Sequence, residues 1–175
     1  MPANIEIKAR IPSVAELLPR AQALARADDG GDRPQLIHQD DTFFDVPRGR
    51  LKLREFADGS GELIHYDRPD AEGPKRSDYL ISETDDPHTL REALTRACSV
   101  IGRVRKERLL LLVGATRIHL DRVEGLGDFL EIEVVLQPGQ SEAEGTAIAV
   151  ALMARLGVPP EALVRGAYLD LLAAA

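Results

Sequence analysis

Lysine and arginine residues recur at every second position in several short segments of this 175-residue sequence. The segments contain Lys8 and Arg10; Arg50, Lys52 and Arg54; and Lys106 and Arg108. Residues two apart in a β-strand point to the same face, so each segment would present a row of cations. Lysine binds phosphate oxygens as a point charge and arginine binds them as a bidentate fork. If the rows converge, the pattern predicts a site for a polyanion such as a polyphosphate.

Glutamates occur at the same spacing beside these cations. Glu6 lies two residues before Lys8, and Glu131 is followed by Glu133. Carboxylates among phosphates would repel them, whereas hard divalent cations prefer carboxylate oxygens. A Mg²⁺ or Mn²⁺ ion could join carboxylate and phosphate oxygens. The residues therefore predict a polyphosphate site that also holds a divalent metal ion.

The strands that would carry these residues follow from the alternation of apolar and polar positions. We predict eight strands, over residues 4–11, 35–45, 50–56, 61–68, 77–83, 102–112, 116–123 and 128–136. Short glycine-containing links such as 47–49 and 113–115 join several neighbours and suit antiparallel hairpins. An antiparallel meander is expected.

Three segments between the strands carry helix start signals. These signals are Ser13 with Glu16, Asp86 with Pro87, and Ser141 with Glu144. Apolar residues follow each signal at helical spacing, so each helix would have one face to bury. A helical tail over 161–174 is expected to pack Tyr168 and Leu172 against the outside of the sheet.

A charged strand face is ordinarily a solvated face. Two observations favour an interior position here. Rows of like charge on neighbouring strands repel one another unless an anion separates them. The apolar helix faces also need the apolar face of the same sheet to pack against. We therefore expect an α+β fold, an eight-stranded antiparallel β-barrel that forms a charged tunnel, with helices packed on the outside.

The composition bounds the class of protein. Hydrophobic residues make up 44% of the chain and charged residues 29%, as expected for one ordered domain of this length. The net charge of −7 argues against a nucleic-acid-binding protein, since such proteins carry a basic excess. The one cysteine, Cys98, excludes an internal disulfide, and we expect it to be buried on the apolar face of the second helix. We see neither a membrane span nor a signal peptide, so we expect a cytoplasmic protein.

Several motifs together resemble the CYTH domain, the triphosphate tunnel metalloenzymes that include thiamine triphosphatases, inorganic triphosphatases and class IV adenylate cyclases. The family opens on E-x-E-x-K, and the matching residues here are Asn4-Ile5-Glu6-Ile7-Lys8. Further matches are QDDTFFDVP at 39–47, LKLRE at 51–55, KER at 106–108, HLD at 119–121 and GLGDFLEIE at 125–133. The first motif alone is weak, but the ordered set is specific and extends from Ile5 to Tyr168.

The resemblance implies a single CYTH-like domain over residues 1–175. The implied ligands of Mg²⁺ or Mn²⁺ are Glu6, Glu131, Glu133 and Asp121. The implied phosphate-binding residues are Lys8, Arg10, Lys52, Arg54, Lys75, Lys106, Arg108 and Arg117. Among these, Lys8, Arg54 and Lys106 are the expected catalytic residues. Lys75 is expected in a lid-like link after the fourth strand.

The chain departs from the family at Asn4, where the family has its first glutamate. An amide oxygen can ligate a hard cation but brings no negative charge, so one metal site should be weaker. His119 faces the tunnel by strand alternation. It could act as an acid, although a structural hydrogen bond is the commoner role of a single strand histidine. Tyr66 and Arg68 share a face and could lie on the floor of the site.

Hydrolysis of a phosphoanhydride bond in ATP, tripolyphosphate or thiamine triphosphate is the favoured activity. Conversion of ATP into cyclic AMP and pyrophosphate stays open, although the sequence offers few aromatic residues for binding adenine. Non-catalytic binding of organic or inorganic polyphosphate is the third hypothesis, which stays open because Asn4 brings no negative charge to the metal site. A homodimer through the outer sheet surface or the C-terminal helices is also an open option.

Overall fold

The computed structural model describes residues 3–28, 31, 33–69 and 73–175. Within these residues the strands are β1 (Ala3–Arg10), β2 (Gln35–Phe44), β3 (Arg50–Phe56), β4 (Gly61–Asp67), β5 (Lys75–Thr84), β6 (Val100–Val113), β7 (Thr116–Val123) and β8 (Gly127–Val135). The helices are α1 (Val14–Ala27), α2 (Pro87–Ala97), α3 (Glu142–Leu156) and α4 (Tyr168–Ala173), with a short 3₁₀ turn at Pro160–Ala162. Every predicted strand is present, and β5 and β6 each begin two residues earlier than predicted.

The strands form a closed barrel in the order β1-β5-β4-β3-β2-β6-β7-β8, with antiparallel neighbours throughout. The prediction of a closed antiparallel barrel is confirmed. The prediction of a simple meander is wrong, because β1 lies between β5 and β8, and β2 pairs with β6. Short links predict only which consecutive strands pair. The connections that contain α1 and α2 are long enough to cross to non-consecutive strands.

The main hydrophobic core lies outside the barrel wall, beneath α1 and α3. Outward-facing residues of β1, β7 and β8, such as Ile7, Ile118 and Leu130, are at most 1% exposed. Leu24 of α1 and Leu156 of α3 pack in the same cluster. The barrel wall therefore buries its apolar face under helices, which leaves its polar face for the interior.

The predicted helix start signals form caps. The Ser13 hydroxyl accepts a hydrogen bond from the backbone of Ala15, and Asp86 accepts one from Thr89 at 3.0 Å. Ser141 and Glu144 form the reciprocal capping box at the start of α3. These caps satisfy backbone N–H groups that the first helical turn leaves unpaired.

Two predictions about the helices are corrected. Cys98, predicted to be buried, is only half-buried at the C-terminal end of α2. The one buried residue of that helix is Pro87, so α2 does not have the buried apolar face that its spacing predicts. Tyr168 does not pack outside the sheet but lies at the closed end of the barrel, with its ring 5.0 Å from that of Phe129. Among the helices of the described segments, none is long and apolar enough to cross a membrane.

Candidate functional site

The barrel encloses a cavity of about 330 Å³ that is lined by inward-facing residues of all eight strands. Most of the residues predicted for the site line this cavity. They are Glu6, Lys8, Lys52, Arg54, Lys106, Arg108, Arg117, Glu131 and Glu133. Strand alternation alone places them on one face, and closure of the sheet brings that face together. The structure also places Tyr66, Arg68 and His119 in the lining.

A larger open groove of about 590 Å³ lies against the outer side of β2, β6 and β7. Two of its arginines are paired with carboxylates of the same groove. Arg103 and Arg105 donate to Asp40 at 2.5 and 3.2 Å, and Arg105 lies 3.8 Å from Glu124. The barrel interior, where cations and carboxylates are buried together, is therefore the stronger site.

Arg10 does not reach the cavity. It continues the alternation of β1, but it is exposed, donates to the Leu126 carbonyl at 2.9 Å and lies 4.7 Å from the Phe129 ring. Phe129 packs against Tyr168 and closes the interior at this level. Strand alternation therefore predicts the correct face for Arg10, but the residue lies beyond the closed end of the barrel.

Asp121, one of the predicted metal ligands, is bonded to basic and hydroxyl side chains in the structure. It is fully buried and accepts hydrogen bonds from Arg108 through both oxygens, at 2.7 and 2.6 Å, and from the Tyr168 hydroxyl at 2.9 Å. Burial raises its pKa, but the charges of Arg108 and Lys106 outweigh burial and hold it below the usual value. Asp121 therefore fixes the position of Arg108.

Lys75 lies in β5, not in a lid-like loop. It is 4% exposed and pairs in register with Glu6, and it has the same parity as Ser77, which lines the cavity. The backbone pairing thus extends β5 two residues beyond the predicted strand. Its position keeps Lys75 beside the acidic part of the interior.

Asp41 is the residue that sequence reasoning missed. It is 1% exposed and accepts hydrogen bonds from Lys52 at 2.8 Å and from Arg54 at 2.8 and 2.9 Å. Burial alone would raise its pKa, but the charges of Arg54 and Lys52 hold that pKa well below 3.8. Alternation places Asp41 on the same face of β2 as Gln39 and Phe43, and the structure shows that this face lines the cavity.

The acidic residues gather on the opposite wall, on β1 and β8. Glu131 contacts Lys8 at 3.0 Å and also pairs with Arg108. Its burial favours the neutral form, but Lys8 and Arg108 hold its pKa well below 4.5. Burial and the nearby Glu133 charge raise the pKa of Glu6, although Arg68 donates to it at 2.7 Å. Glu6 is thus more easily protonated than Glu131.

One group of donor atoms could hold a metal ion. His119, Glu131 and Glu133 each offer an atom, and these atoms lie within 4.8 Å of one another. Burial and Arg108 lower the pKa of His119 well below 6.5, so its ring is neutral and keeps a lone pair at neutral pH. Glu131 already pairs with two cations, Lys8 and Arg108. Each of its carboxylate oxygens has a second lone pair, which is available to a metal ion. The donor set therefore fits a divalent ion.

Several buried polar atoms of the cavity have no hydrogen-bond partner within the described residues. They are Asn4 Oδ1, Gln39 Oε1, Arg68 Nε and Nη2, and His119 Nδ1. Buried donors and acceptors normally find partners, because leaving them unpaired costs free energy. The donors of Arg68 fit an anion, whereas the acceptors fit a cation or a hydrogen-bond donor.

Lys106 is a buried lysine whose pKa the cavity lowers strongly. Burial and the neighbouring Arg108 lower its pKa from 10.5 to about 7, although Asp121 and Asp41 act in the opposite direction. Burial and the charge of Arg54 also lower the pKa of Lys52. A bound polyanion would favour the charged form of both lysines.

Comparison with known proteins agrees with this geometry. The model of the CYTH domain family matches residues 2–168. No curated protein matches the chain significantly.

Solved structures supply three useful comparisons. The PH1012 protein of Pyrococcus horikoshii is 26% identical with a TM-score of 0.81, over 97% of this chain and 99% of its own. A proposed adenylate cyclase from Vibrio parahaemolyticus is 20% identical with a TM-score of 0.78, over 97% of each chain. An RNA triphosphatase of Schizosaccharomyces pombe is 11% identical with a TM-score of 0.53, over 89% of this chain and 82% of its own. The last two likenesses show the fold alone, and the family match over nearly the whole sequence shows that this chain belongs to the CYTH domain family.

Proposed function

We propose that this protein is a metal-dependent triphosphatase that hydrolyses a phosphoanhydride bond in a triphosphate-containing substrate. One observation carries the proposal: buried and partly buried cations from β1, β3 and β6 share a cavity with the carboxylate cluster of β8. Such an interior costs free energy unless an anionic ligand offsets the positive charge. A polyphosphate with a divalent cation matches both signs of charge.

The cations divide into two roles in this proposal. Lys8, Arg54 and Lys106 are the proposed catalytic residues, stabilising the negative charge that develops on the leaving oxygen. Lys52, Arg68, Lys75, Arg108 and Arg117 would bind the remaining phosphate oxygens. Phosphoryl transfer requires mainly positioning and charge neutralisation, so side chains held before the substrate arrives are suited to it. The hydrogen bonds from Lys52 and Arg54 to Asp41 provide that preorganisation.

Glu131 and Glu133, with Glu6 nearby, are the proposed ligands of Mg²⁺ or Mn²⁺. The unpaired acceptors of Asn4 and His119 and the 4.8 Å spread of the donor group fit such an ion. When bound, the ion would neutralise phosphate oxygens and make a bound water more acidic. The neutral amide of Asn4 leaves the acidic wall with one charge fewer than a glutamate would provide.

Cyclisation of ATP is the second candidate function. Apolar residues, among them Ile37, Ile64 and Leu110, line the same cavity beside Tyr79 and could contact a nucleobase. Attack by the ribose 3′-hydroxyl on the α-phosphorus would release pyrophosphate. Binding without turnover is the third candidate, supported by the missing charge at Asn4.

One assay separates the three. The purified protein is incubated with ATP, tripolyphosphate or thiamine triphosphate, each with Mg²⁺ or Mn²⁺, and the products are identified. We expect orthophosphate; cyclic AMP with pyrophosphate would support the cyclase, and thermal stabilisation without any product would support the binder.

Matched variants test the site in the same assay. Glu133→Gln should lower metal-stimulated turnover by about 100-fold, because the ligand loses its charge. Glu107→Gln is the control, since Glu107 faces outward from β6 with about half of its side chain exposed. Full activity of the Glu133→Gln protein would contradict the proposal.

A further inference from the structure

His119 has an unused ring nitrogen in the acidic part of the cavity. The residue is 4% exposed, and its Nδ1 atom has no hydrogen-bond partner among the residues that the structure describes. The same atom lies 3.7 Å from Glu133 Oε1, and His119 pairs in register with Glu131 on the neighbouring strand. A histidine that served only packing or hydrogen bonding would normally have its buried ring nitrogens satisfied.

The surrounding atoms explain what the nitrogen could bind. Donor atoms of His119, Glu131 and Glu133 lie within 4.8 Å of one another. Metal–donor bonds of about 2.0–2.2 Å place two ligands of one ion about 3–4 Å apart, so small side-chain rotations suffice to close this group on an ion. Two carboxylates supply the charge and the imidazole supplies a nitrogen lone pair.

We propose that His119 completes a mixed nitrogen and oxygen site, with Glu131 and Glu133, that selects a transition-metal ion such as Zn²⁺, Co²⁺ or Mn²⁺ over Mg²⁺ and Ca²⁺. The inference rests on the proposed function, which places a divalent ion at the two glutamates. Mg²⁺ and Ca²⁺ take oxygen ligands, whereas imidazole suits borderline transition metals. The neutral Asn4 in the same cavity weakens the purely oxygen alternative.

The test compares metal affinities of the untagged, metal-free protein by calorimetric titration with Zn²⁺, Co²⁺, Mn²⁺, Mg²⁺ and Ca²⁺. Zn²⁺ and Co²⁺ should bind at least about 100-fold more tightly than Mg²⁺ or Ca²⁺. His119→Asn should weaken Zn²⁺ binding by about 100-fold and change Mg²⁺ binding by less than about twofold. His119→Asp should reduce the ratio of the Zn²⁺ affinity to the Mg²⁺ affinity. His88→Gln, an exposed substitution on α2, should bind all five ions as the parent does.

The parent protein supplies a readout that needs no variant. Co²⁺ bound through His119 should produce visible absorption bands and shift the imidazole proton signals of one histidine in the NMR spectrum. Unchanged Zn²⁺ affinity in the His119→Asn protein, or Co²⁺ spectra without a shifted histidine, would overturn the inference. Turnover supported by Mg²⁺ with no transition-metal preference would overturn it while leaving the proposed function intact. Absence of both metal binding and turnover would count against the proposed function itself.

Discussion

Asp41 and Asp121 are the carboxylates that hold the basic side chains of the barrel interior in place. Asp41 accepts from Lys52 and Arg54, and Asp121 accepts from Arg108 and Tyr168. Each is at most 1% exposed, so its charge is tolerable only because cations surround it. We infer that these two residues preorganise the cations, whereas the glutamates of β1 and β8 are the proposed metal ligands.

Replacing Asp41 by asparagine should lower the free energy of unfolding by roughly 3–5 kcal/mol, because Lys52 and Arg54 would lose their buried counter-charge. The pKa of Asp41 is depressed in the folded state, so its contribution is present above about pH 4 and is lost as the pH falls through the folded pKa. Denaturant unfolding of the parent and variant at neutral and acid pH measures both effects.

Asp40→Asn is the matched control for this change. Asp40 is the next residue along β2, points outward and pairs with Arg103 and Arg105, both partly exposed. Its substitution should cost about 1 kcal/mol or less. Equal destabilisation by the two substitutions would show that Asp41 has no special role.

Single-residue prediction succeeded where strand parity was sufficient. Lys8, Arg108 and Glu133 were placed correctly because each lies well inside a regular strand. Arg10 has the correct parity but lies beyond the closed end of the interior, which depends on packing by Phe129 from another strand. Asp41 was missed because two adjacent aspartates face opposite sides, and only the register shows which one is buried.

At the scale of elements, the C-terminal segment closes one end of the interior. Tyr168 begins α4 and donates to Asp121, while its ring lies 3.9 Å from Lys8 Nζ and 5.0 Å from Lys106 Nζ. Helix start signals and hairpin links are local patterns and were predicted. The position of α4 depends on contacts between residues more than forty positions apart in the sequence, such as Tyr168 and Asp121, and no local pattern predicts such contacts.

Tyr168→Phe keeps the ring and removes only the hydroxyl, so it should cost about 1 kcal/mol of stability. Tyr168→Ala also removes the contact with Phe129 and should cost about 3–5 kcal/mol. Tripolyphosphate affinity should fall in the same order, because the ring fixes Lys8 and Lys106. Unfolding and calorimetric titration measure the two effects. Equal tripolyphosphate affinity in the phenylalanine and alanine proteins would contradict this positioning role.

At the scale of the whole molecule, the interior and the whole chain differ in charge balance. The net charge of the chain is −7, yet among the described residues the cavity is lined by seven lysine and arginine side chains and only five carboxylates. The sequence predicted closure into a barrel because helices need the apolar face of the sheet. It did not predict the strand order, because the pairing of β1 with both β5 and β8 is a long-range consequence of closure.

Tripolyphosphate should therefore stabilise the folded molecule as a whole. At a concentration of about 100 times Kd the gain is about 2.7 kcal/mol, which corresponds to roughly 5–10 °C in Tm for a protein of this size. Lys106 makes the gain depend on pH, since its pKa in the ligand-free protein is about 7. At about pH 6 the lysine is already charged, whereas at about pH 9 ligand binding must first restore its proton.

Lys106→Met isolates this contribution from the titration of tripolyphosphate itself. The parent should lose more of its ligand-dependent gain in Tm between about pH 6 and pH 9 than the methionine variant does. The ligand-free variant should also be more stable than the parent, and by more at about pH 6, because the cost of burying the charged lysine is complete below its folded pKa and declines as the pH rises above it. Arg105→Met, on the exposed side of β6, should leave both pH profiles unchanged. Parallel profiles for the parent and the Lys106→Met protein would show that Lys106 does not face the bound phosphate.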